Sequence, residues 1–328
     1  MESKEMTLQN RIRAATPADY DRMGDVLNAT FPPDDPAIDT DRWLHDDEHL
    51  GPEYKLRRHV VETDGRIIGA SYTRILVDLF HPQKFYLTMA IHPEFEGRGL
   101  GSSLYRHVLR TLEPDDPICL RTHIREDMTR GLRFLEKRGY KEWDRTWESY
   151  LDLKSFAFDA FAGAEERVLE QGIEIKDQTE LTASPNWERD LYELCIHVDR
   201  DMPVPDVYTA PPFETWRRLI LRSPKHLPEG CFIAVDGGRY AGISALGRGH
   251  RKGNYLFTQT TGTRREYRRR GIALALKLAG IRFAVAGGYN RIRTFNERGN
   301  RPMLNINERL GFQKYPGWLG MTKDLKPE

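Results

Sequence analysis

The sequence is poor in the features that would mark a secreted, membrane-bound or nucleic-acid-binding chain. Three cysteines, Cys119, Cys195 and Cys231, are scattered through 328 residues. An odd count at wide spacing gives neither a disulfide framework nor metal-ligand spacing, and it suits a reducing cytoplasm. No apolar run approaches the roughly 20 residues needed to span a bilayer. The opening Met-Glu-Ser-Lys-Glu-Met has no apolar stretch behind a basic start, so no signal peptide is expected. Net charge is equally scarce: 50 basic and 49 acidic side chains leave +1. A nucleic-acid partner usually demands a basic face or tail, which is not seen. These absences predict a cytoplasmic protein with no nucleic-acid, membrane or metal partner.

What is present suits a soluble chain with real cores, 39% hydrophobic and 30% charged. Its length suggests about two domains. An internal repeat supports that reading. Glu96-Gly97-Arg98-Gly99-Leu100-Gly101 is echoed by Arg268-Arg269-Arg270-Gly271-Ile272-Ala273, and the offset from 96 to 268 is 172 residues. Leu135-Glu136-Lys137-Arg138-Gly139-Tyr140 recurs at the same offset as Asn307-Glu308-Arg309-Leu310-Gly311-Phe312. A looser echo joins Asp64-Gly65 to Asp236-Gly237, with one extra glycine in the second copy. Three pairs in one order predict two copies of one domain, 1–153 and 173–328. The stretch 154–172, rich in Ala, Phe and Glu, reads as a linking helix.

Each copy reads as an opening strand, a hairpin, a central strand, a glycine-rich turn, a helix, and a further strand and helix. The central strands are expected over Tyr86–Ile91 and Tyr255–Thr263. After the turns, Leu100, Leu104, Val108 and Leu112, then Ile272, Ala275, Leu276, Ala279 and Phe283, recur at helical spacing. A turn from strand into helix presents unpaired N–H groups at the positive end of the helix dipole, where glycines let a pyrophosphate approach. A purely structural turn is the commoner meaning of glycines alone; the flanking strand and helix favour a phosphate site. The arginine run Arg264 to Arg270 reads either as a solvated loop or, for some of its members, as a grip on phosphates.

The pattern Arg/Gln-x-x-Gly-x-Gly/Ala after a strand, then a helix, then Leu-Gly-Phe some forty residues on, resembles the GNAT (GCN5-related) N-acetyltransferases. The tandem arrangement resembles that of mycothiol synthase and its relatives. The resemblance implies an α/β (α+β) fold of two tandem GNAT-like domains, each a mixed, mostly antiparallel central sheet flanked by helices. It implies acetyl-CoA as co-substrate, with its pyrophosphate on the N–H groups of Arg268, Arg269, Arg270, Gly271, Ile272 and Ala273. The equivalent cradle in the first copy is Glu96, Gly97, Arg98, Gly99, Leu100 and Gly101. The strand ahead, Thr261, Gly262 and Thr263 or Met89, Ala90 and Ile91, would pair with the pantetheine arm.

The same resemblance places a proton-donating tyrosine four residues before the glycine of Leu-Gly-Phe. This chain departs from it twice, with Asn307 and Leu135. Asn296, Glu297, Asn300 and Asn307 make the second copy the richer in polar groups. Asn307 and Glu297 are the candidate catalytic residues; Asn296 and Asn300 are candidate coenzyme contacts or helix caps. In the first copy His123 and His92 read as possible bases or plain surface residues. Asp199 and Asp201, in a stretch that includes His197, would line an acceptor site or be ordinary loop polarity. The expected activity is acetyl-CoA-dependent N-acetylation of a small-molecule amine, mainly in the second copy. A non-catalytic acyl-CoA sensor or scaffold and a protein or peptide N-acetyltransferase are the alternatives.

Overall fold

A computed structural model describes residues 10–31, 40–250 and 253–326. The N-terminal residues behind the signal-peptide reading lie outside them. The first copy contains β1 (Arg11–Ala14), α1 (Tyr20–Asn28), α2 (Asp41–His49), β2 (Arg57–Thr63), β3 (Arg66–Arg74) and β4 (Lys84–Ile91). It continues with α3 (Leu100–Leu112), β5 (Cys119–Arg125), α4 (Thr129–Glu136) and β6 (Lys141–Asp152). Then come α5 (Glu166–Leu169), β7 (Ile173–Asp177), α6 (Gln178–Leu181), α7 (Trp187–Asp199), α8 (Phe213–Trp216), β8 (Cys231–Asp236) and β9 (Arg239–Arg248). The chain closes with β10 (Tyr255–Thr263), α9 (Ile272–Ala286), β11 (Arg291–Glu297), α10 (Arg301–Arg309), β12 (Gln313–Lys314) and β13 (Trp318–Asp324).

Two compact units result. Of the described residues, one gathers 10–31, 40–123, 135–141 and 321–326, the other 124–134, 142–250 and 253–320. In the first unit β1, β2, β3 and β4 pair antiparallel in order, and β5 joins β4 in parallel. In the second unit β7, β8, β9 and β10 repeat that order, and β11 joins β10 in parallel. Both hairpins carry a register shift at the same place, Val61/Glu62 and Ala234/Val235. The duplication read from the sequence is thus a duplication of strand order as well.

The units do not follow the cut at residue 153. β6 is antiparallel to β11 over seven residue pairs, from Arg291–Asp152 to Glu297–Thr146, and so belongs with the second unit. Residues 321–326 belong with the first, where Leu325 N–H donates to the Ile118 carbonyl at 2.8 Å. A strand goes where its ladder partners are, because unpaired backbone groups in a sheet interior are costly. The expected linking helix over 154–172 is also absent. A 3-10 turn at Phe158–Phe161 and the single turn of α5 stand there instead. Gly163 at φ +76 breaks the helix between them. Phe156, Phe158 and Phe161 turn onto the cluster that holds Leu153, Ala164 and Leu310.

Each core lies between helices and sheet. Tyr20, Met23 and Leu27 of α1 cover Val60 and Ala70 in the first unit. In the second, Leu278, Ile281 and Ala284 of α9 cover Leu246, Leu256 and Ile292. On another face Leu191, Leu194 and Val198 of α7 cover Ile233 and Ile243. The order places a strand–turn–helix junction, β4 into α3 and β10 into α9, at the edge of each core.

Candidate active site

The two turns share one backbone. In the first, Glu96 is extended (φ −66, ψ 160), and Gly97 and Gly99 take φ +80 and +77. In the second, Arg268 is extended (φ −67, ψ 156), and Arg269 and Gly271 take φ +63 and +84. Arg269 holds a left-handed conformation that is roughly 1–2 kcal/mol unfavourable for a residue with a Cβ. Gly99 and Gly271 are the N-caps of α3 and α9, and neither helix start receives a side-chain cap hydrogen bond. The first N–H groups of each helix have no intrahelical partner. Both junctions therefore fit the pyrophosphate of a coenzyme, for which such amides are suited.

The strands that lead into these turns differ. β10 meets β11 only at Tyr255, Leu256 and Phe257, opposite Arg291, Ile292 and Arg293, and then leaves it. On its other side β10 skips Gln259, for Thr258 pairs with Leu246 and Thr260 with Ala245. The bulge bends the strand where it leaves β11, opening a wedge lined by backbone from Thr258 to Thr263. The hydroxyls of Thr258 and Thr260 are buried there with no partner among the described residues. β4 also meets β5 over three residues only, Lys84 to Tyr86. Yet its ladder with β3 is regular from Tyr86 to Ile91. Tyr86 then reaches across to β5: its hydroxyl lies 2.8 Å from His123 Nδ1 and accepts from His123 N–H at 3.1 Å. Burial holds the Tyr86 hydroxyl above its ordinary pKa.

Of the strand residues expected along the pantetheine arm, Thr261 spends its hydroxyl on Ser244 at 3.0 Å. Gly262 is required by packing, since a Cβ there would meet Val198 of α7 at 2.3 Å. Thr263 ends β10 above Gly242, whose own Cβ would meet the Thr263 methyl at 2.9 Å. Met89, Ala90 and Ile91 occupy the corresponding end of β4.

The arginine run is largely bound within the protein. Arg264 Nε donates to the Tyr240 carbonyl at 2.8 Å, and Arg270 Nε to Gln171 at 2.9 Å. Arg265 and Arg268 both grip Asp201; Arg265 Nε donates to its two oxygens at 2.9 and 3.0 Å, and Arg268 Nη2 reaches Oδ2 at 2.5 Å. Among the described residues, only Arg269 of the five has no hydrogen bond or ion pair. The Asp201 side chain is 8% exposed and faces the arginines of the turn. Hydrogen bonding from Arg265 holds its carboxyl below the usual range. Asp199 is the last residue of α7, and His197 Nε2 nearby is buried with no hydrogen-bond partner among the described residues.

The asparagine set divides. Asn307 on α10 donates its amide to Asn296 on β11 at 2.6 Å, joining helix and strand, while its own Oδ1 is buried without a donor. Asn307 is only 2% exposed. Asn300 is the N-cap of α10, its side chain accepting from Met303 N–H. Glu297, the expected base, accepts from Gly299 N–H at 2.6 Å and so fastens a local turn. Leu135, in the place of Asn307, is buried in the first copy. His92 lies 3.7 Å from Glu94.

Sequence reasoning missed two features of the second site. The Gln259 bulge has no signal beyond a run of polar residues in a strand. Lys277 had one: it is the single charge between Ile272 and Ile281. It is 5% exposed in α9, and burial lowers its amine to about 8.

A mixed, mostly antiparallel sheet flanked by helices, built twice with a helix-capping turn after a diverging strand, defines the class of acyl-coenzyme A-binding transferase folds. The acetyltransferase (GNAT) family model matches residues 20–140 and 186–312, and the chain belongs to that family. A GCN5-related N-acetyltransferase from Sphaerobacter thermophilus is 21% identical with a TM-score of 0.68 over 98% of each chain. A tandem GNAT protein from the clavulanic acid biosynthesis pathway is 17% identical, with a TM-score of 0.74 over 98% of this chain and 100% of that one. The glucosamine N-acetyltransferase region of a fungal multi-domain GH3 β-N-acetylglucosaminidase is 14% identical at 0.71, over 97% of this chain and 38% of that one. No curated relative matches. No helix among the described residues is long and apolar enough to cross a membrane.

Proposed function

We propose that the chain transfers an acetyl group from acetyl-CoA to a small-molecule amine, and that the second copy carries the reaction. The observation behind this is the bulged β10, which leaves β11 beside an uncapped helix start, with the Asn296–Asn307 bond at the flank. The co-substrate supplies the activated thioester. The N–H groups of Arg269 to Ala273 would hold its pyrophosphate, and Arg269, the one arginine of the run with no hydrogen bond or ion pair among the described residues, would meet it. Asp201 acts as a positioning residue that fixes Arg265 and Arg268 around the turn. The edge of β10 from Thr261 to Thr263 that has parted from β11 would orient the pantetheine arm, and the wedge would bring its end to the acceptor face. The first copy, bridged by Tyr86 and His123 and holding Leu135, serves as a partner or auxiliary coenzyme site. A small-amine acceptor accords with the fungal glucosamine N-acetyltransferase region of the same fold.

Thiol release with polyamines, amino sugars and peptide N-termini, beside calorimetry with acetyl-CoA, tests this. Turnover with a small amine supports it; turnover confined to peptides would move the acceptor to proteins. The second reading, a non-catalytic acyl-CoA sensor, draws on Asn307, whose amide is committed to Asn296 in place of a tyrosine. Binding without turnover across the whole panel would establish that reading.

A further inference from the structure

The position of Lys277 can be fixed from the packing of α9. A Cβ on Gly242 would meet Ile272 at 3.2 Å, and one on Gly280 would meet Leu246 at 3.3 Å. β9 pairs Gly242 with Thr263 and Leu246 with Thr258. The stretch of α9 from Ile272 to Gly280 therefore runs beside the part of β10 between Thr263 and Thr258, the part that has left β11. Lys277 lies in that stretch. It shares one helix stripe, at four- and seven-residue spacing, with Ile281 and Ala284. Those two pack with Leu256 and Ile292, a pair across the closed part of the β10–β11 seam. One helical turn before Ile281, the same stripe faces the seam where it has opened.

The side chain is as unusual as its place. Its Nζ lies 5.1 Å from the Phe312 ring, and among the described residues no hydrogen bond or ion pair reaches it. A lysine this buried usually has a carboxylate or carbonyls around it, because an ammonium is costly to desolvate. Here burial alone lowers the amine to about 8. The wedge flank supplies a second orphan, Asn307 Oδ1, and the backbone carbonyl of Asn307 accepts from Phe312 N–H at 3.0 Å. The first copy has Tyr105 and Tyr140 at the corresponding positions, with their hydroxyls 3.5 Å apart. That unit fills the space with neutral, mutually bonded groups.

We infer that Lys277 is the general acid of the transfer, giving its proton to the sulfur of the departing coenzyme. This rests on the reading of the second copy as the acetyltransferase site. The acceptor's neutral nitrogen attacks the acyl carbon and the carbon–sulfur bond breaks. Its electron pair goes to sulfur, and a proton from Lys277 Nζ completes the thiol. The acceptor nitrogen loses its extra proton to water, and Lys277 regains one from water after the products leave. An amine titrating near 8 is matched to a thiol of ordinary acidity near 8.5, the condition for efficient proton transfer. Lys277 thereby takes the task that Asn307, a poor acid, cannot perform.

The test titrates the full-length protein, with lysine carbons labelled at Cε, by NMR. The Lys277 signal is assigned by its loss in Lys277→Met or, should that variant not fold, in Lys277→Arg. Titrations are run with coenzyme A and with desulfo-coenzyme A, and calorimetry shows that each binds. The expected result is a Lys277 midpoint that moves upward with the thiol form, as a thiolate partner would require, and not with the desulfo form. In turnover, Lys277→Met should release thiol about 100-fold more slowly. A thioester with a more acidic thiol, which needs no protonation, should recover most of that loss. Equal midpoints with both bound coenzymes, or no recovery with the acidic thiol, would overturn the assignment while leaving coenzyme binding at the site intact. Failure of either coenzyme to bind would remove the site itself, and the assignment with it.

Discussion

The two copies have matching turns on unmatched strands. Gly97 and Gly99 adopt nearly the conformations of Arg269 and Gly271, and both helix starts are uncapped. Both seams part after three residue pairs, but beside one turn the strand is regular and a tyrosine crosses to its neighbour, while beside the other the strand is bulged. A phosphate cradle is a local device, made by a few dihedrals. A transferase also needs a passage for the acyl group, which depends on how a strand pairs on both of its sides. Both copies keep the dihedrals of the turn, and among the described residues only the second has a bulge in the strand ahead of it.

The largest test of this contrast uses acid. His59 lies on β2, its ring 4.8 Å from that of His107, and desolvation lowers its pKa from 6.5 to about 4, aided by the charges of His107 and Arg57. Counting from the shared hairpin bulge, the second copy has Phe232 at the same strand position, which cannot titrate. Because the folded pKa is depressed, the neutral form stabilises the fold. That contribution is complete above pH 6.5 and disappears as pH falls toward 4, about 3 kcal/mol in all. Urea unfolding followed at several pH values should show the first unit weakening in this window, and His59→Phe should flatten the slope. A slope unchanged by the substitution would place the acid sensitivity elsewhere.

Next in size is Gly262→Val. The added side chain would drive against Val198, so α7 must move from β10, and overpacking of this kind costs about 2 kcal/mol. Chemical denaturation would register it as a lower midpoint, with the second unit opening first; an unchanged midpoint would mean that α7 is not fixed against the strand.

Arg268→Glu sets a carboxylate against Asp201 at the turn. Acetyl-CoA affinity should fall about tenfold, or 1.4 kcal/mol. Calorimetry that showed no loss would shift the principal coenzyme site to the Glu96–Gly101 turn.

The smallest effect sharpens the likeness of the turns. Arg269→Gly gives the second turn the glycine that the first has at residue 97. Relief of the left-handed strain should add about 1 kcal/mol of stability. Coenzyme affinity should drop slightly, since the exposed arginine is lost; a rise in affinity would show that Arg269 obstructs the phosphate.

Much of this was legible in the sequence. The central strand Tyr255–Thr263 has its expected bounds, and the hairpins and post-turn helices lie within a few residues of theirs. These elements announce themselves by periodicity and by glycine, which are local signals. The linker failed because composition favoured a helix, while Gly163 and three phenylalanines seeking the core broke it. In the site, Asn307 and Asn296 meet as a pair, Asn300 takes the helix-cap alternative, and Glu297 fastens a local turn. Nothing local announces that Arg265, 64 residues away, will hold Asp201, which the sequence leaves as an acceptor contact or ordinary loop polarity.

By itself the sequence determined two copies, the succession of their elements and the position of both glycine-rich turns, because each rests on signals between residues close in the chain. Only the tertiary structure decided that β6 pairs with β11, that Gln259 falls out of register, and that Asp201 binds the arginines. It alone shows that Lys277 is buried over the Phe312 ring, with no hydrogen bond or ion pair among the described residues. Each of these depends on which distant backbone or charge fills the neighbouring space, and no spacing along the chain encodes that.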